Sequence, residues 1–360
     1  MLTAARDAPY GGDAKVRQVA ETLRSPVMAT KRALIIGIAG QDGSYLAELL
    51  LSQGYDVAGA VRQPVSTPFE NLAPMRGAIE LFQADVLDEL SLVDLLTSCR
   101  PDEVYNLAAP SFVPMSWRQP VLTAEFAAVG VTSMLEALRR VDDSIRFYQA
   151  SSSEIFGEPR DVPQTEETPL APVTPYGVAK AYGHFITRSY RHHYGLHASS
   201  GILYNHESPR RPLDFVTRKV CYAAASISLG LQHQLEIGNL DARRDWGFAG
   251  DHVRAMWLML QQDEPDDYVI ATGETHSVRE LVQCAFDRVG LDWQEYVRVD
   301  ESLKRGKAEL HDLVGDPTRA RARLGWSPSL DFDGLVHLLV DSDLERLRSR
   351  LEPAETVSDV

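Results

Sequence analysis

The stretch that decides the fold reads Leu34-Ile35-Ile36-Gly37-Ile38-Ala39-Gly40-Gln41-Asp42-Gly43-Ser44-Tyr45-Leu46. In a strand-turn-helix unit of this kind the first glycine allows a tight turn and the second lets backbone amides approach a pyrophosphate. The third admits close packing at the helix N-terminus, whose dipole favours an anion. The segment predicts a dinucleotide site, with a plain turn between strand and helix as the alternative. The predicted cofactor contacts in it are Gly37, Gly40, Gln41, Asp42 and Gly43.

Outward from this turn, short apolar strands alternate with helical segments. Strands are predicted at Ala33–Ile36, Asp56–Val61, Glu80–Gln83, Glu103–Leu107, Arg146–Ala150 and Ala198–Leu203. Helices are predicted at about Ser44 to Gln53, Glu89–Ser98, Pro120–Arg139 and Tyr176–Tyr194. Apolar strands between helices indicate a parallel sheet buried on both faces. The predicted fold class is α/β, a doubly wound parallel (Rossmann) sheet with a smaller mixed C-terminal part that binds substrate.

The chain divides into four predicted regions. Residues 1–30 form a polar extension, and translation starts at either Met1 or Met28. Residues 31–204 form the dinucleotide-binding domain, whose sheet is completed by parts of 235–275. Residues 205–345 mostly bind substrate, and 346–360 form a tail.

The amino-acid composition excludes several kinds of binding surface. The 36 Lys and Arg residues against 51 Asp and Glu residues give a net charge of −15. A broad basic surface for nucleic acid or an anionic membrane is therefore excluded, and local positive charge must hold any anionic ligand. No uninterrupted apolar run approaches the ~18 residues that span a bilayer, so we expect no membrane-spanning segment.

The spacing of the cysteines and histidines does not match a metal-binding motif. Three widely spaced cysteines (Cys99, Cys221 and Cys284) suggest neither a disulfide framework nor a metal motif, and they fit a reducing cytoplasm. The histidines around the helix predicted at Tyr176–Tyr194 lack the one-face pairing with an acidic ligand that zinc needs. We predict no metal site and place these histidines on the helix surface.

The end of the second strand indicates which dinucleotide binds. An acidic residue there would hold a ribose diol, but the sequence reads Val61-Arg62-Gln63. Arg62 suits a 2′-phosphate, so NADP is predicted over NAD, with a solvated strand-end charge as the alternative. Asp85-Val86 and Leu107-Ala108-Ala109 follow the next two strands, where adenine and the inner ribose would lie.

Among the thirteen tyrosines, Tyr176 alone has a lysine, Lys180, four residues later. This spacing puts both side chains on one helical face. Because free tyrosine has a pKa of about 10, a tyrosine acting as base near neutral pH needs a nearby cation. We predict Tyr176 and Lys180 as a catalytic pair that also contacts the cofactor. The alternative is an ordinary surface pair.

A second catalytic candidate follows the strand Arg146–Ala150, in Ser151-Ser152-Ser153-Glu154. The carboxyl edge of such a sheet is where ligands bind. Ser152 can hydrogen-bond a substrate hydroxyl, and Glu154 can exchange a proton. The alternative is a helix cap with a solvated acid.

Beyond these motifs, several longer stretches carry a resemblance. They are Gly37 to Leu46, Gln149 to Glu154, Asn205-His206-Glu207-Ser208-Pro209-Arg210-Arg211, Phe215-Val216-Thr217-Arg218-Lys219, and Gly238-Asn239-Leu240-Asp241-Ala242-Arg243-Arg244-Asp245-Trp246-Gly247. From Lys31 to about Glu345 the chain resembles the extended short-chain dehydrogenase/reductases, most closely the GDP-mannose 4,6-dehydratases. The resemblance implies a nicotinamide cofactor and a nucleotide-sugar substrate.

The resemblance also implies residue roles. Ser152 stands where the family usually has a catalytic threonine, Glu154 matches its acid/base, and Tyr176 and Lys180 match its redox pair. The implied substrate contacts are Ser111, Ser152, Glu154, Asn205, Glu207, Arg211, Lys219, Arg244 and Arg305.

The chain departs from the family pattern in three places. The family's Ala-Ala-Gln-Ser-His-Val reads here Ala108-Ala109-Pro110-Ser111-Phe112-Val113, which removes two polar side chains near the expected sugar pocket. Where the family carries a nucleotide-clamping arginine before Pro-Ala-Glu-Val-Asp, this chain has Arg305-Gly306-Lys307. The clamp is therefore expected to be either shifted, with Arg305 or Lys307 as its replacement, or lost. The loop Arg62-Gln63-Pro64 lacks a second arginine associated with tetramers, so a homodimer is expected, with a tetramer as the alternative.

Together these features predict dehydration of GDP-mannose, or a close GDP-hexose, to the 4-keto-6-deoxy sugar with NADP recycled internally. A 4-keto-sugar reductase or an epimerase on the same scaffold is the alternative enzyme. A catalytically silent NADP-binding regulator would be expected to lack Tyr176 or Lys180, and both are present.

Overall fold

The computed structural model describes residues 30–303 and 313–351, so the predictions for the N-terminal extension, for Arg305 and for the chain beyond Leu351 lie outside it. Its thirteen strands are β1 Arg32–Ile36, β2 Asp56–Val61, β3 Ile79–Gln83, β4 Glu103–Asn106, β5 Arg146–Ala150, β6 Ala198–Leu203, β7 Asn205–Glu207, β8 Leu235–Ile237, β9 Arg243–Arg244, β10 Trp246–Phe248, β11 Asp267–Ile270, β12 His276–Ser277 and β13 Val297–Val299. Its helices are α1 Gln41–Ser52, α2 Glu89–Cys99, α3 Val113–Arg118, α4 Pro120–Val141, α5 Pro175–Tyr194, α6 Val216–Ser228, α7 Ala249–Leu260, α8 Val278–Arg288, α9 Trp293–Tyr296, α10 Thr318–Leu324 and α11 Phe332–Leu351.

A seven-stranded parallel sheet lies at the centre, in the order β11-β6-β5-β4-β1-β2-β3. Ala33, Leu34 and Ile35 of the central strand β1 are fully buried. Their burial explains the unbroken apolar runs, because both faces of the sheet are covered by helices. The predicted doubly wound α/β fold is confirmed.

Helices cover both faces of the sheet. Helices α1, α7 and α10 pack with one face, while α2, α4 and α5 pack with the other. Helix α1 begins at Gln41, earlier than the predicted Ser44, because the Ser44 amide donates to the Gly40 carbonyl at 3.1 Å and closes a first turn through the glycines.

Helix α4 contains a π-helical turn at Glu125–Val129. Contrary to the sequence expectation, it is long and apolar enough to cross a bilayer by length and composition. Half of this stretch is buried inside the protein, where Val131, Met134 and Leu135 belong to the core against the sheet. Its burial favours a core helix.

A second core lies beyond the sheet. It is formed by α6, α8 and α11 around Val220, Leu281, Phe286 and Leu339, together with the short pair β8 and β13. Helix α11 continues to Leu351, past residue 345, where the sequence analysis placed the start of the tail.

Topology decides where a ligand can lie. The chain order reverses between β1 and β4, which makes a crevice at the carboxyl ends of these strands. Strand β7 follows β6 after one residue and pairs with β10, so residues of the C-terminal part reach the same edge. The edge strand β11, which pairs with β6, comes from within 235–275.

Candidate active site

The glycine turn has the geometry of a close-approach site. Gly37 has φ +87°, and a Cβ added there would lie 3.2 Å from the Ala108 amide nitrogen. A Cβ at Gly43 would lie 2.4 Å from the Gly37 carbonyl oxygen, so only glycine admits the helix this close to the turn. At Gly40 the nearest atom to such a Cβ is 3.4 Å away. This cradle at the N-terminus of α1 fits a dinucleotide pyrophosphate.

The other predicted cofactor residues surround this cradle. Arg62 directly follows β2, and its guanidinium lies 5.2 Å from the centre of the Phe126 ring. Asp85 accepts from the Leu87 amide at 3.0 Å, and Val86 is buried. Leu107, Ala108 and Ala109 follow β4 and are partly buried beside Gly37.

Tyr176 and Lys180 lie in the first turns of α5, whose N-terminus is capped by Thr174 and followed by Pro175 at the first helical position. Both side chains are buried. The Lys180 Nζ donates to the Ala150 carbonyl oxygen at 2.8 Å and lies 5.7 Å from the centre of the Tyr176 ring. The structure therefore excludes the alternative of a solvated surface pair.

Burial sets the proton affinities of this pair. Burial raises the pKa of Tyr176 to about 12, although a hydrogen bond from Ser152 opposes the shift. Burial lowers the pKa of Lys180 to about 8. The negative charge of Glu154 adds to the rise at Tyr176, which places this carboxylate within electrostatic reach of the phenol. Without ligands, Tyr176 keeps its proton at neutral pH.

Ser152 serves as a cap and as a contact of Tyr176. It precedes a single 3₁₀ turn at Ser153–Ile155 and accepts from the Glu154 amide at 3.3 Å. A Cβ at Gly177 would lie 2.5 Å from the Glu154 carbonyl oxygen, so glycine lets α5 approach this turn. The turn therefore holds Ser152, Glu154 and Tyr176 together at the carboxyl edge of the sheet.

The predicted substrate residues of β7 lie beside this group. Glu207 is buried and accepts from the Thr217 hydroxyl at 2.6 Å, while the Arg211 Nε lies 3.3 Å from the Glu207 carboxylate. The Arg211 guanidinium lies 3.5 Å from the centre of the Phe215 ring. Phe112, one of the departures from the family pattern, packs edge-on against that ring at 5.5 Å. Asn205 begins β7 and is partly buried.

Three other predicted substrate residues lie at exposed or partly buried positions. Ser111 is exposed in the loop after β4. Lys219 is exposed on α6 and donates to the Glu236 carbonyl oxygen at 2.7 Å. Arg244 is partly buried on β9, and its guanidinium donates to the Arg243 carbonyl oxygen at 2.6 Å.

Sequence reasoning missed a set of contacts between α1 and β7. The side chains of Gln41 and Asp42, predicted to contact the cofactor, hydrogen-bond to His206, which leaves their backbone amides for the cofactor. His206 received no role, although it stands between Asn205 and Glu207 in the sequence. Strand alternation was the available signal, since it puts the middle residue on the opposite face.

The histidine prediction is partly wrong. His192 and His193 are exposed, as expected, but His184 is buried, with its Nε2 3.7 Å from the Asp267 carboxylate. It lies on the face of α5 that packs inward. Within residues 30–303 and 313–351, no group of three or more His, Cys, Asp or Glu side chains could hold a metal ion.

Proteins similar in sequence cover most of this chain. A dehydratase from Arabidopsis thaliana, named GDP-mannose 4,6 dehydratase 1, is 46% identical over 331 residues, covering 89% of this chain and 91% of that protein. The Homo sapiens GDP-mannose 4,6 dehydratase is 44% identical over 344 residues, covering 88% of this chain and 92% of that protein.

A solved structure and a family model also match most of the chain. The UDP-glucose 4-epimerase of Thermus thermophilus, in complex with NAD, matches with a TM-score of 0.76 at 28% identity, covering 87% of this chain and 98% of that one. The family model described as GDP-mannose 4,6 dehydratase matches residues 34–339. With this match over most of its length, the chain belongs to the GDP-mannose 4,6-dehydratase family.

Proposed function

We propose that the protein dehydrates GDP-mannose to GDP-4-keto-6-deoxymannose, in a reducing cytoplasm. The observation that carries the proposal is the cluster of Ser152, Glu154, Tyr176 and Lys180 beside the glycine cradle. Dehydration of such a sugar needs a base at one hydroxyl, an acid/base at the neighbouring carbon and a place for a hydride. Family membership supports the assignment of GDP-mannose.

The cofactor we propose is NADP, a choice supported by Arg62 at the end of β2. The glycine turn would hold the pyrophosphate, Arg62 the 2′-phosphate, and Tyr176 and Lys180 the nicotinamide half. When bound, NADP would supply a hydride acceptor for carbon 4 of the sugar, a hydride donor for carbon 6, and a positive charge that favours a phenolate at Tyr176.

Oxidation at carbon 4 needs a base for the 4-hydroxyl proton. Tyr176 has a pKa of about 12 without ligands, so an opposing positive charge must lower it before it can act. The buried Lys180 Nζ lies 5.7 Å from the centre of the Tyr176 ring, where its positive charge would stabilise a phenolate. Ser152 polarises the reacting oxygen through its hydroxyl.

Loss of water follows from the chemistry of the ketone. A keto group at carbon 4 makes the proton at carbon 5 acidic. Glu154 removes that proton and delivers one to the departing 6-hydroxyl, so a water molecule leaves and the carboxylate is regenerated. Return of the hydride to carbon 6 would leave an enolate that takes a proton at carbon 5. The proton that Tyr176 removed from the 4-hydroxyl balances it, so Tyr176, Glu154 and the cofactor all return to their starting states.

Product analysis tests the proposal. Purified protein incubated with GDP-mannose should give a product lighter by one water, without stoichiometric consumption of added NADPH. Inert GDP-mannose, with NADPH consumed only when a nucleotide 4-keto sugar is supplied, would favour the 4-keto-sugar reductase. An isomer of GDP-mannose with unchanged mass would favour the epimerase. Turnover of another nucleotide sugar with GDP-mannose inert would show that the Pro110 and Phe112 departures decide the substrate.

A binding titration tests the cofactor. Arg62→Ala should weaken NADP binding far more than NAD binding, because only NADP offers a 2′-phosphate to the guanidinium. A charge-assisted hydrogen bond contributes roughly 1.5–3 kcal/mol, about a tenfold to hundredfold loss of affinity. Equal losses for the two dinucleotides would contradict the role given to Arg62.

We also propose that the protein is a homodimer. Large apolar side chains are exposed together on α3, α4 and α5, where Trp117, Val121, Val178 and Phe185 are each at least half exposed. A soluble surface rarely leaves such a patch uncovered, and a second copy of the chain offers the same patch in return.

A further inference from the structure

One histidine joins the dinucleotide turn to the strand expected to bind substrate. His206 is the middle residue of β7, and its Nε2 lies 2.8 Å from the Asp42 carboxylate in the first turn of α1. The Nδ1 lies 2.7 Å from the Tyr204 carbonyl oxygen, which requires a proton on Nδ1. Because side chains alternate along a strand, His206 faces away from Asn205 and Glu207.

Two further hydrogen bonds reinforce the same junction. The Gln41 side-chain amide donates to the His206 carbonyl oxygen at 3.1 Å and to the Asp42 carboxylate at 3.0 Å. The Ser208 hydroxyl donates to the Gln41 side-chain oxygen at 2.8 Å. The first turn of α1 and strand β7 are therefore linked by side chains on both, although 164 residues separate His206 from Asp42.

The junction favours the charged forms of both side chains. Burial lowers the pKa of His206, but attraction to Asp42 and the hydrogen bond between them outweigh it, and the net shift is upward. Burial raises the pKa of Asp42, yet His206, Gln41 and Arg211 lower it further than burial raises it. His252 stacks on His206 at 4.3 Å, and burial and the neighbouring charge lower its pKa, so it stays neutral.

We propose that His206 is a positioning residue that couples the dinucleotide turn to β7, so that a bound cofactor orders Asn205 and Glu207 for the nucleotide sugar. The inference rests on the proposed function, because it takes the glycine turn as the cofactor site and β7 as a substrate contact. By linkage, a bound nucleotide sugar must tighten cofactor binding by the same factor.

Hydrogen exchange tests the coupling without using the substrate. The full-length protein, freed of nucleotide, is compared with and without saturating NADP. In the parent protein NADP should slow exchange of the β7 amides by about fivefold or more, the low end of typical coupling between two sites. The amides of α8, which lies in the second core beyond the sheet, serve as the internal control.

Three variants isolate the His206 contact. His206→Asn keeps a donor near the Tyr204 carbonyl but cannot reach Asp42, and it should abolish the slowing in β7. Asp42→Ala removes the carboxylate that His206 contacts and should have the same effect. It replaces the first variant in the test if that variant does not fold. His206→Gln places an amide donor near the position of Nε2 and should restore most of the slowing.

The outcomes separate coupling from simple structural support. Slowing that persists unchanged in both His206→Asn and Asp42→Ala, or that is missing from the parent protein, would overturn the proposal. A uniform increase of exchange over the whole chain, with the ratio for β7 intact, would overturn it as well, since it describes general destabilisation.

A second measurement distinguishes this inference from the proposed function. In a Tyr176→Phe background, which blocks turnover, GDP-mannose binding is titrated with and without NADP. We expect NADP to tighten this binding by about fivefold or more, and His206→Asn to bring the ratio close to one. If GDP-mannose does not bind at all, the substrate assignment is wrong, while the exchange result for β7 still decides the coupling.

Discussion

Tyr176 and Glu154 lie in one cluster but are assigned to different bonds, so their removal should stop the reaction at different places. Tyr176→Phe should block oxidation, with no reduction of bound NADP and no exchange of the carbon 5 hydrogen with solvent. Glu154→Gln should still reduce some bound NADP in a single turnover, while product formation falls by at least the ~10²-fold expected for a general acid/base. Absorbance of reduced nicotinamide without 6-deoxy product is the signature of the second variant. Dehydration near the wild-type rate in Glu154→Gln would move the reductase or epimerase ahead.

Lys180 should reduce the stability of the protein at neutral pH while supporting catalysis. Its pKa falls from 10.5 to about 8 on burial, so the unfolded chain holds the proton more tightly. A shift of this size corresponds to about 3 kcal/mol of destabilisation below pH 8, which is relieved as the pH rises from 8 to 10.5.

Lys180→Met should therefore stabilise the nucleotide-free protein by about 1–3 kcal/mol at pH 7 and abolish turnover. The Ala150 carbonyl oxygen keeps a donor, because the Gln149 side chain also bonds to it at 3.0 Å. Denaturant unfolding at pH 7 and at pH 10 measures the effect. The difference between variant and parent should shrink at the higher pH, and a difference that grows instead would contradict the argument.

At the residue scale, the sequence predicts what local spacing encodes. The four-residue interval from Tyr176 to Lys180 is a property of one helix turn, and the structure places both side chains together. The contact of His206 with Asp42 depends on how a strand and a helix far apart in the chain meet, and no spacing reports that. For the same reason the sequence does not predict the hydrogen bond from the Gln41 side chain to the His206 carbonyl oxygen.

At the element scale, the strands that are buried on both faces are the ones that the sequence predicts best. The central strands β1 and β2 are recognisable because burial on both faces makes them nearly continuous apolar runs. The observed β2, β5 and β6 have the predicted bounds. The short strands β9 and β12 have two residues each, too few for any periodicity to show. The π-helical turn in α4 likewise has no signal in a pattern of apolar residues.

One buried ion pair fastens α11 to α6. Arg218 and Asp343 are almost fully buried, with a two-bond pairing in which Nη2 lies 2.7 Å from Oδ1. The Arg218 Nε also donates to the Arg211 carbonyl oxygen at 3.3 Å, so the pair supports the loop that carries a predicted substrate contact.

Asp343→Asn and Arg218→Met should each lower the free energy of unfolding by about 3–5 kcal/mol. Each variant removes one charge of the pair and leaves the other charge buried without a partner. Arg218→Met should in addition raise KM for the nucleotide sugar more than it changes kcat. The exposed pair of Arg288 and Asp341, at 2.7 Å between α8 and α11, is the matched control. Asp341→Asn should leave stability nearly unchanged, and equal effects of the buried and exposed changes would contradict the assigned importance of burial.

At the scale of the whole molecule, the sheet and the C-terminal core meet at the carboxyl edge, where β7 and β10 connect them. The two sides of the site therefore come from segments with separate hydrophobic cores. The sequence predicts that such a second part exists, because the alternation of strands and helices stops after Asn205. It does not predict how the parts are joined, since that depends on contacts such as that of His206.

The oligomeric state also belongs to this scale. The exposed apolar face formed by α3, α4 and α5 is the reason that we expect a homodimer. The Tyr182 hydroxyl lies 3.1 Å from the Thr132 hydroxyl, so α4 and α5 present one continuous surface. Val121 is 70% exposed and Phe185 is 51% exposed on it. A stable dimer buries ~800 Å² per partner, and apolar side chains such as these are the kind that its interface covers.

We expect sedimentation velocity to show a dimer at micromolar concentration, and Val121→Glu or Phe185→Lys to shift it towards monomer by placing an unpaired charge in the contact. The control is Leu90→Lys, since Leu90 is 75% exposed on α2, on a different part of the surface. That variant should sediment like the parent protein. Dissociation by Leu90→Lys, or a dimer that survives both changes on α4 and α5, would place the interface elsewhere. A species twice the mass of the dimer would instead support the tetramer, even though the loop after Arg62 lacks a second arginine.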